Sequence, residues 1–263
     1  MGTDSPACAD AVGGTDAVAV SPLARAQGVS PLSVWRTGVV TAVTHPTDEF
    51  VRIRLAVPDR HQHVPGEHYV LRLTAEDGYV AQRSYSLASD PGDPELELFV
   101  EKLHDGEVSS FLAEELRVGD GLRVRGPIGG WFAWDGSARA IGLGGGTGVV
   151  PFVAMHRHGL RTGTADRLRL AVTARSALRL PYADELAAAG ALIALTGEDR
   201  VAGAAGPPRP AGRLTAAELE PLAEGAELAL VCGSAAFARG ATDLLRRIGF
   251  TDDRIRIEQF GPS

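Results

Sequence analysis

The pattern of the chain changes at Asp135-Gly136-Ser137, and that change limits the possible folds more than any single motif. Upstream of it, short β-type segments alternate with turns, and six candidate strands cover 35–44, 50–57, 68–74, 83–88, 96–103 and 121–125. Pro65-Gly66, Asp77-Gly78, Asp90-Pro91-Gly92 and His104-Asp105-Gly106 supply the turns. Only 109–116 reads as a helix, with Ser109 or Ser110 as its cap. Six antiparallel strands and one helix predict a closed or nearly closed barrel. Downstream, strands at 138–143, 167–173, 191–196, 227–231 and 254–258 alternate with helices at 149–160, 182–189 and 235–248. That alternation predicts a doubly wound parallel sheet, with 197–212 as a Gly/Pro-rich loop. The expected organisation is a disordered tail over 1–30, a barrel domain over 31–137 and an α/β domain over 138–263.

Charge and cysteine usage narrow the function classes. The formal net charge is -7, which argues against a nucleic-acid or anionic-membrane partner. The tail carries Asp4, Asp10 and Asp16 and no apolar run of the kind a secretion signal needs. No stretch reaches the length of a membrane span, so a cytoplasmic protein is expected. The two cysteines, Cys8 and Cys232, cannot supply the four ligands of an iron–sulfur cluster, so any such centre belongs to another chain. His61-Gln62-His63 and His156-Arg157-His158 lack a third ligand at metal-binding spacing, and no metal is expected.

Four short motifs carry the chemistry. In Arg83-Ser84-Tyr85-Ser86, a strand would point Arg83 and Tyr85 one way and Ser84 and Ser86 the other. A guanidinium beside a phenol ring suits a dinucleotide, with the cation on phosphate and the ring against a planar heterocycle. An exposed arginine beside a core tyrosine would look the same. Leu143-Gly144-Gly145-Gly146-Thr147-Gly148-Val149-Val150-Pro151 lies where a doubly wound fold takes a diphosphate, although its spacing is G-x-G-x-x-P rather than G-x-G-x-x-G. Gly106-Glu107-Val108-Ser109 opens the lone barrel helix and reads either as a phosphate turn or as a capped helix start. Cys232-Gly233-Ser234 ends a strand at the carboxyl edge of the second sheet, where ligands bind, though Cys232 also fits as a small buried hydrophobe.

Together and in this order, these motifs resemble the ferredoxin–NADP reductase family of flavoproteins, from about Val34 to the C-terminus. The resemblance implies a six-stranded antiparallel flavin-binding barrel followed by a nucleotide-binding domain that takes NADH or NADPH. It implies Arg83 on the flavin phosphates, Tyr85 stacked on the isoalloxazine and Ser86 bonded to the redox-active ring nitrogen, with Ser84 in the same clamp. Gly106, Glu107, Val108 and Ser109 match the family's phosphate motif, and Gly146, Thr147 and Gly148 lie in its nicotinamide-domain turn. Cys232 and Gly233 are placed near the nicotinamide. The turn Arg125-Gly126-Pro127-Ile128-Gly129-Gly130 resembles the family's exit from the barrel. The ending Glu258-Gln259-Phe260-Gly261-Pro262 is similar to that of reductases for bacterial oxygenases, which brings Phe260 toward the flavin. No appended ferredoxin module and no terminal cysteine cluster is seen, so a minimal two-domain reductase is expected.

The implied cofactor is FAD, with FMN as the other possibility, and Ser86 and Cys232 are expected beside the hydride-transfer axis. Arg175-Ser176 suits the extra phosphate of NADPH, yet Arg175 stacked on adenine would suit NADH as well. Tyr182 resembles a family residue of the same pocket or is a packing aromatic at a helix start. The electron acceptor is expected to be a separate ferredoxin-like or oxygenase protein, and the chain a monomer. A flavin reductase releasing free reduced flavin and a nucleotide-binding electron-transfer subunit are the competing readings.

Overall fold

The computed structural model describes residues 34–200 and 208–260. The expected tail, Cys8, part of the 197–212 loop and the Gly261-Pro262 ending lie outside the described residues.

Strands β1 (Arg36–Thr47), β2 (Phe50–Ala56), β3 (His68–Thr74), β4 (Val80–Ser86), β5 (Leu96–Glu101) and β6 (Gly121–Ile128) form one antiparallel sheet in the order β4-β3-β6-β1-β2-β5. Its two edges meet where Leu87 bridges Leu98 and the Ala88 N–H donates to the Glu97 carbonyl at 2.8 Å, which curls the sheet into a nearly closed barrel. Period-two alternation drives this. On β2, Val51, Ile53 and Leu55 are fully buried while Arg52 and Arg54 point outward. Helix α1 (Glu107–Glu114) packs on β2, β4 and β5 and buries Val108, Ser109 and Leu112.

Strands β7 (Ala140–Gly145), β8 (Leu168–Ala174), β9 (Leu192–Leu195), β10 (Leu228–Gly233) and β11 (Ile255–Gln259) form a parallel sheet in the order β11-β10-β7-β8-β9. Helices α2 (Val150–Thr162), α3 (Ala183–Ala188), α4 (Ala216–Ala223) and α5 (Ala235–Arg247) accompany it. Every residue of β10 is buried, as a strand covered on both faces requires. The two sheets thus match the barrel-plus-doubly-wound architecture expected from the sequence.

Three local departures have physical reasons. β4 begins at Val80 rather than Arg83, because pairing with β3 as a hairpin orders an edge segment whose Val80, Gln82 and Arg83 are exposed and carry little alternation. α1 begins at Glu107 with Gly106 as its cap, so neither Ser109 nor Ser110 caps it. α4 was not expected; a reciprocal Thr215–Glu218 capping box starts it, and Arg209 donates to Glu218 from Nε at 2.8 Å.

One apolar core runs across both sheets. Phe50, Ala88 and Phe99 of the barrel side join Phe132, Trp134, Phe152, Val153 and Leu180 in a single cluster. Around it, α2 supplies cations to the barrel. Arg157 clamps Glu185 bidentately at 2.7 and 2.8 Å while donating to Glu97 at 3.0 Å and to the Ala88 carbonyl at 2.9 Å. The adjacent His158 and, one turn on, Arg161 both engage Asp90. Burial pushes the Glu97 and Asp90 carboxyls up, but Arg157 at Glu97 and Arg161 at Asp90, with hydrogen bonds from the Tyr182 hydroxyl and the Gly92 N–H, outweigh it and hold both below the usual carboxylate range.

Candidate active site

On β4, Tyr85 lies opposite Tyr69 and Ser86 opposite His68 across the β3 pairing. Arg83 is exposed; its Nη1 donates to the neighbouring Gln82 carbonyl at 2.7 Å, and it has no acidic partner among the described residues. Tyr85 is half-buried, and that burial pushes its hydroxyl up to about 12, with Arg83 pulling the other way. The phenol is therefore neutral at physiological pH, a ring surface rather than a charge. α1 packs against β4, the strand that carries Arg83. Gly106 is fitted to Ser109: a Cβ there would lie 2.3 Å from the Ser109 hydroxyl oxygen. That hydroxyl donates to the Gly106 carbonyl and accepts from the Leu103 N–H, both at 3.1 Å, so Ser109 shapes the turn. What α1 offers an anion is its first-turn N–H groups and their dipole.

In the second sheet, β7 runs into a 3-10 turn at Gly146–Val149 and then into α2, with Pro151 in its first turn. Gly146 holds φ at +57° with open space where a Cβ would sit. Gly148 is the opposite case: a Cβ would lie 2.2 Å from the Cys232 carbonyl oxygen, so only glycine lets the turn rest on the end of β10. The Phe237 ring covers both strand ends, 2.7 Å from where a Cβ of Gly145 or Gly233 would stand. Cys232 is fully buried, and burial followed by the Glu258 carboxylate keeps its thiol protonated, which excludes a thiolate nucleophile. The Phe260 N–H donates to the Gly233 carbonyl at 3.2 Å, and the ring is partly exposed. Arg175 and Ser176 follow β8, and Arg175 is exposed. Beside them, Glu198 accepts the Ala177 N–H at 2.7 Å.

The two halves meet through His68 and Glu258. His68 stands opposite Ser86 on the barrel, Glu258 stands opposite Cys232 in the second sheet, and His68 Nδ1 is 3.4 Å from Glu258 Oε1. Ser86, His68, Glu258 and Cys232 thus form one row across the cleft. Tyr182 lies at the seam between the two sheets. Its hydroxyl donates to Glu97 at 2.8 Å, its ring lies 5.0 Å from that of Phe99, and the guanidinium carbons of Arg52 and Arg157 stand 5.0 and 5.2 Å from its centroid. It fastens the two sheets together. The sequence reading passed over His68, Phe237 and Glu198. Each follows or precedes a recognised motif, but only the strand register shows that it faces one.

These residues fit a flavin dinucleotide. Arg83 has an uncommitted cation, α1 has free amides, Tyr85 has a neutral ring edge, and the Gly146 turn has unfilled space on the nicotinamide side.

Known proteins agree. The family described as oxidoreductase FAD-binding domain matches residues 38–132. The ferredoxin–NAD(P)+ reductase component of naphthalene 1,2-dioxygenase/salicylate 5-hydroxylase systems from a Ralstonia species is 29% identical over 86% of this chain and 69% of that protein. The corresponding component of the Pseudomonas putida naphthalene dioxygenase system is 29% identical over 57% of this chain, and the match spans 44% of its own length. In structure, a ferredoxin NADP+ reductase from Neisseria gonorrhoeae solved with FAD and NADP superposes with a TM-score of 0.72 over 86% of this chain and 99% of that one, at 18% identity. The chain thus carries an oxidoreductase FAD-binding domain over residues 38–132 and shares the two-domain fold of ferredoxin–NADP reductases.

Proposed function

We propose that the chain oxidises NADH or NADPH through bound FAD and delivers electrons singly to a separate protein, either a ferredoxin-like carrier or an oxygenase component. The observation that carries this reading is the row Ser86, His68, Glu258, Cys232, which joins the flavin-type strand of one sheet to the nicotinamide-type turn of the other. Bound FAD supplies the conversion of a two-electron hydride donor into a one-electron source. The residues orient and exclude. Arg83 and the first turn of α1 hold phosphate, Tyr85 supports the ring system, and Ser86 presents a hydroxyl at the transfer edge. Gly146–Gly148 take the coenzyme diphosphate. Cys232, uncharged and buried, keeps water from the end of β10. Nothing in this set has to exchange a proton, because hydride transfer is governed by distance and alignment.

Arg175 suits a 2′-phosphate, whereas Glu198 brings to the same turn a carboxylate that suits ribose hydroxyls, so both coenzymes remain substrates in this reading. The domain assignment that goes with it is an FAD domain over 31–137 and an NAD(P) domain over 138–263. A cytoplasmic, monomeric reductase belongs to the same proposal; among the described residues no helix is long and apolar enough to cross a membrane. Anaerobic titration with NADH and NADPH, together with the mass of heat-released flavin, tests the proposal. Bleaching of a retained FAD by either coenzyme is the expected result. A colourless purified protein that binds no added flavin would refute it.

A further inference from the structure

The transfer step as described gives His68 no part, yet the structure holds it tightly. Its imidazole packs on Gly129, whose φ is +101° and whose Cβ, if present, would lie 2.9 Å from Nδ1. The ring therefore rests on bare backbone and is aimed at Glu258. His68 Nδ1 and Glu258 Oε2 are both buried atoms without a hydrogen-bond partner, while Nδ1 and Oε1 stand 3.4 Å apart, just beyond hydrogen-bond length. The charged groups on neighbouring elements are committed elsewhere. Glu67 accepts the Val64 N–H at 2.8 Å. Arg125 on β6 stacks over Trp35. Arg256 on β11 donates to the Ala133 carbonyl and stacks over Trp131. Ser86 on β4 and Ile128 on β6, the residues opposite His68, carry no charge. That leaves His68 as the group able to fix the Glu258 carboxylate.

We propose that His68 is a positioning residue for Glu258, donating from Nδ1 across the cleft, and that the pair sets the charge felt at the Ser86 edge. This rests on the proposed flavin site. A carboxylate held and partly neutralised by an imidazole opposes electron gain by a nearby ring system less than a free one does. Truncating His68 would release the charge, and neutralising Glu258 would remove it.

The test is the midpoint potential of the bound flavin, measured spectroelectrochemically on the purified holoprotein. The set comprises wild type, His68→Ala, His68→Gln, Glu258→Gln and the double variant His68→Ala/Glu258→Gln. The expected pattern is a lowered potential in His68→Ala, a potential restored toward wild type in His68→Gln, which keeps an N–H donor, and a raised potential in Glu258→Gln. The double variant should match Glu258→Gln, because removing His68 matters only while the carboxylate is present. Independent, additive shifts, or no shift in His68→Ala at full flavin content, would overturn the pairing. A wild-type protein that holds no flavin would instead refute the underlying site, and the pairing with it.

Discussion

Arg83, Gly148, Cys232 and His63 each carry a separate commitment. Arg83→Ala removes a cation that has no acidic partner among the described residues, so folding should be unaffected. Flavin affinity should fall by about 1.5–3 kcal/mol, the worth of a hydrogen bond to a charged group. Flavin content beside an unchanged circular dichroism spectrum checks this, and full occupancy would sink the Arg83 assignment. Gly148→Ala should do the reverse and cost about 1–3 kcal/mol of stability, since the added methyl strikes the Cys232 carbonyl. A thermal melt reads it. Cys232 should resist iodoacetamide at pH 8 in the folded protein and react on unfolding, as peptide-resolved mass spectrometry can show. His63 is buried with its Nε2 3.1 Å from the Ser89 carbonyl, and burial pushes it down to about 4. Because the unfolded chain takes up the proton first, stability is complete above pH 6.5 and falls as pH drops toward 4. The loss is up to about 3 kcal/mol, visible in denaturant midpoints taken across that range.

At the scale of elements, the sequence shows period and turn chemistry well and edges poorly. The alternation in Val51-Arg52-Ile53-Arg54-Leu55 and the uniformly apolar Leu228–Val231 are written in residue type, and both strands lie where that pattern puts them. β4 starts three residues before the expected strand and stops two before that strand's end, because an edge strand with one partner needs no apolar alternation to pair. α4 was overlooked although Thr215 and Glu218 stand at capping-box spacing, since the Gly/Pro-rich residues before it drew the reading toward a loop. Thr215→Ala should cost about 1 kcal/mol, the usual worth of an N-cap, measured by chemical denaturation. The site followed the same rule. Motif residues were legible as motifs. The surroundings of Tyr182, His68 and Phe237 depend on which strand lies alongside, and a single sequence does not state that.

At the scale of the whole molecule, the two sheets share an apolar core and an ionic fastening built largely from α2. Removing Arg157 takes the nearest cation from Glu97 and leaves it the Tyr182 hydroxyl and Arg54, so Arg157→Ala should cost about 1.5–3 kcal/mol and lower a single unfolding transition rather than split it in two. Scanning calorimetry distinguishes these outcomes. α2 also begins at the Gly146–Val149 turn, and about 17 Å further along its axis Arg161, in its last turn, holds the Asp90 loop. If the proposed sites hold, a single rod would start under the hydride donor and finish bolted to the domain that holds the acceptor ring. The gap that the hydride must cross would then be a machined dimension of the protein, fixed by one helix, and not the outcome of two domains finding each other at every turnover.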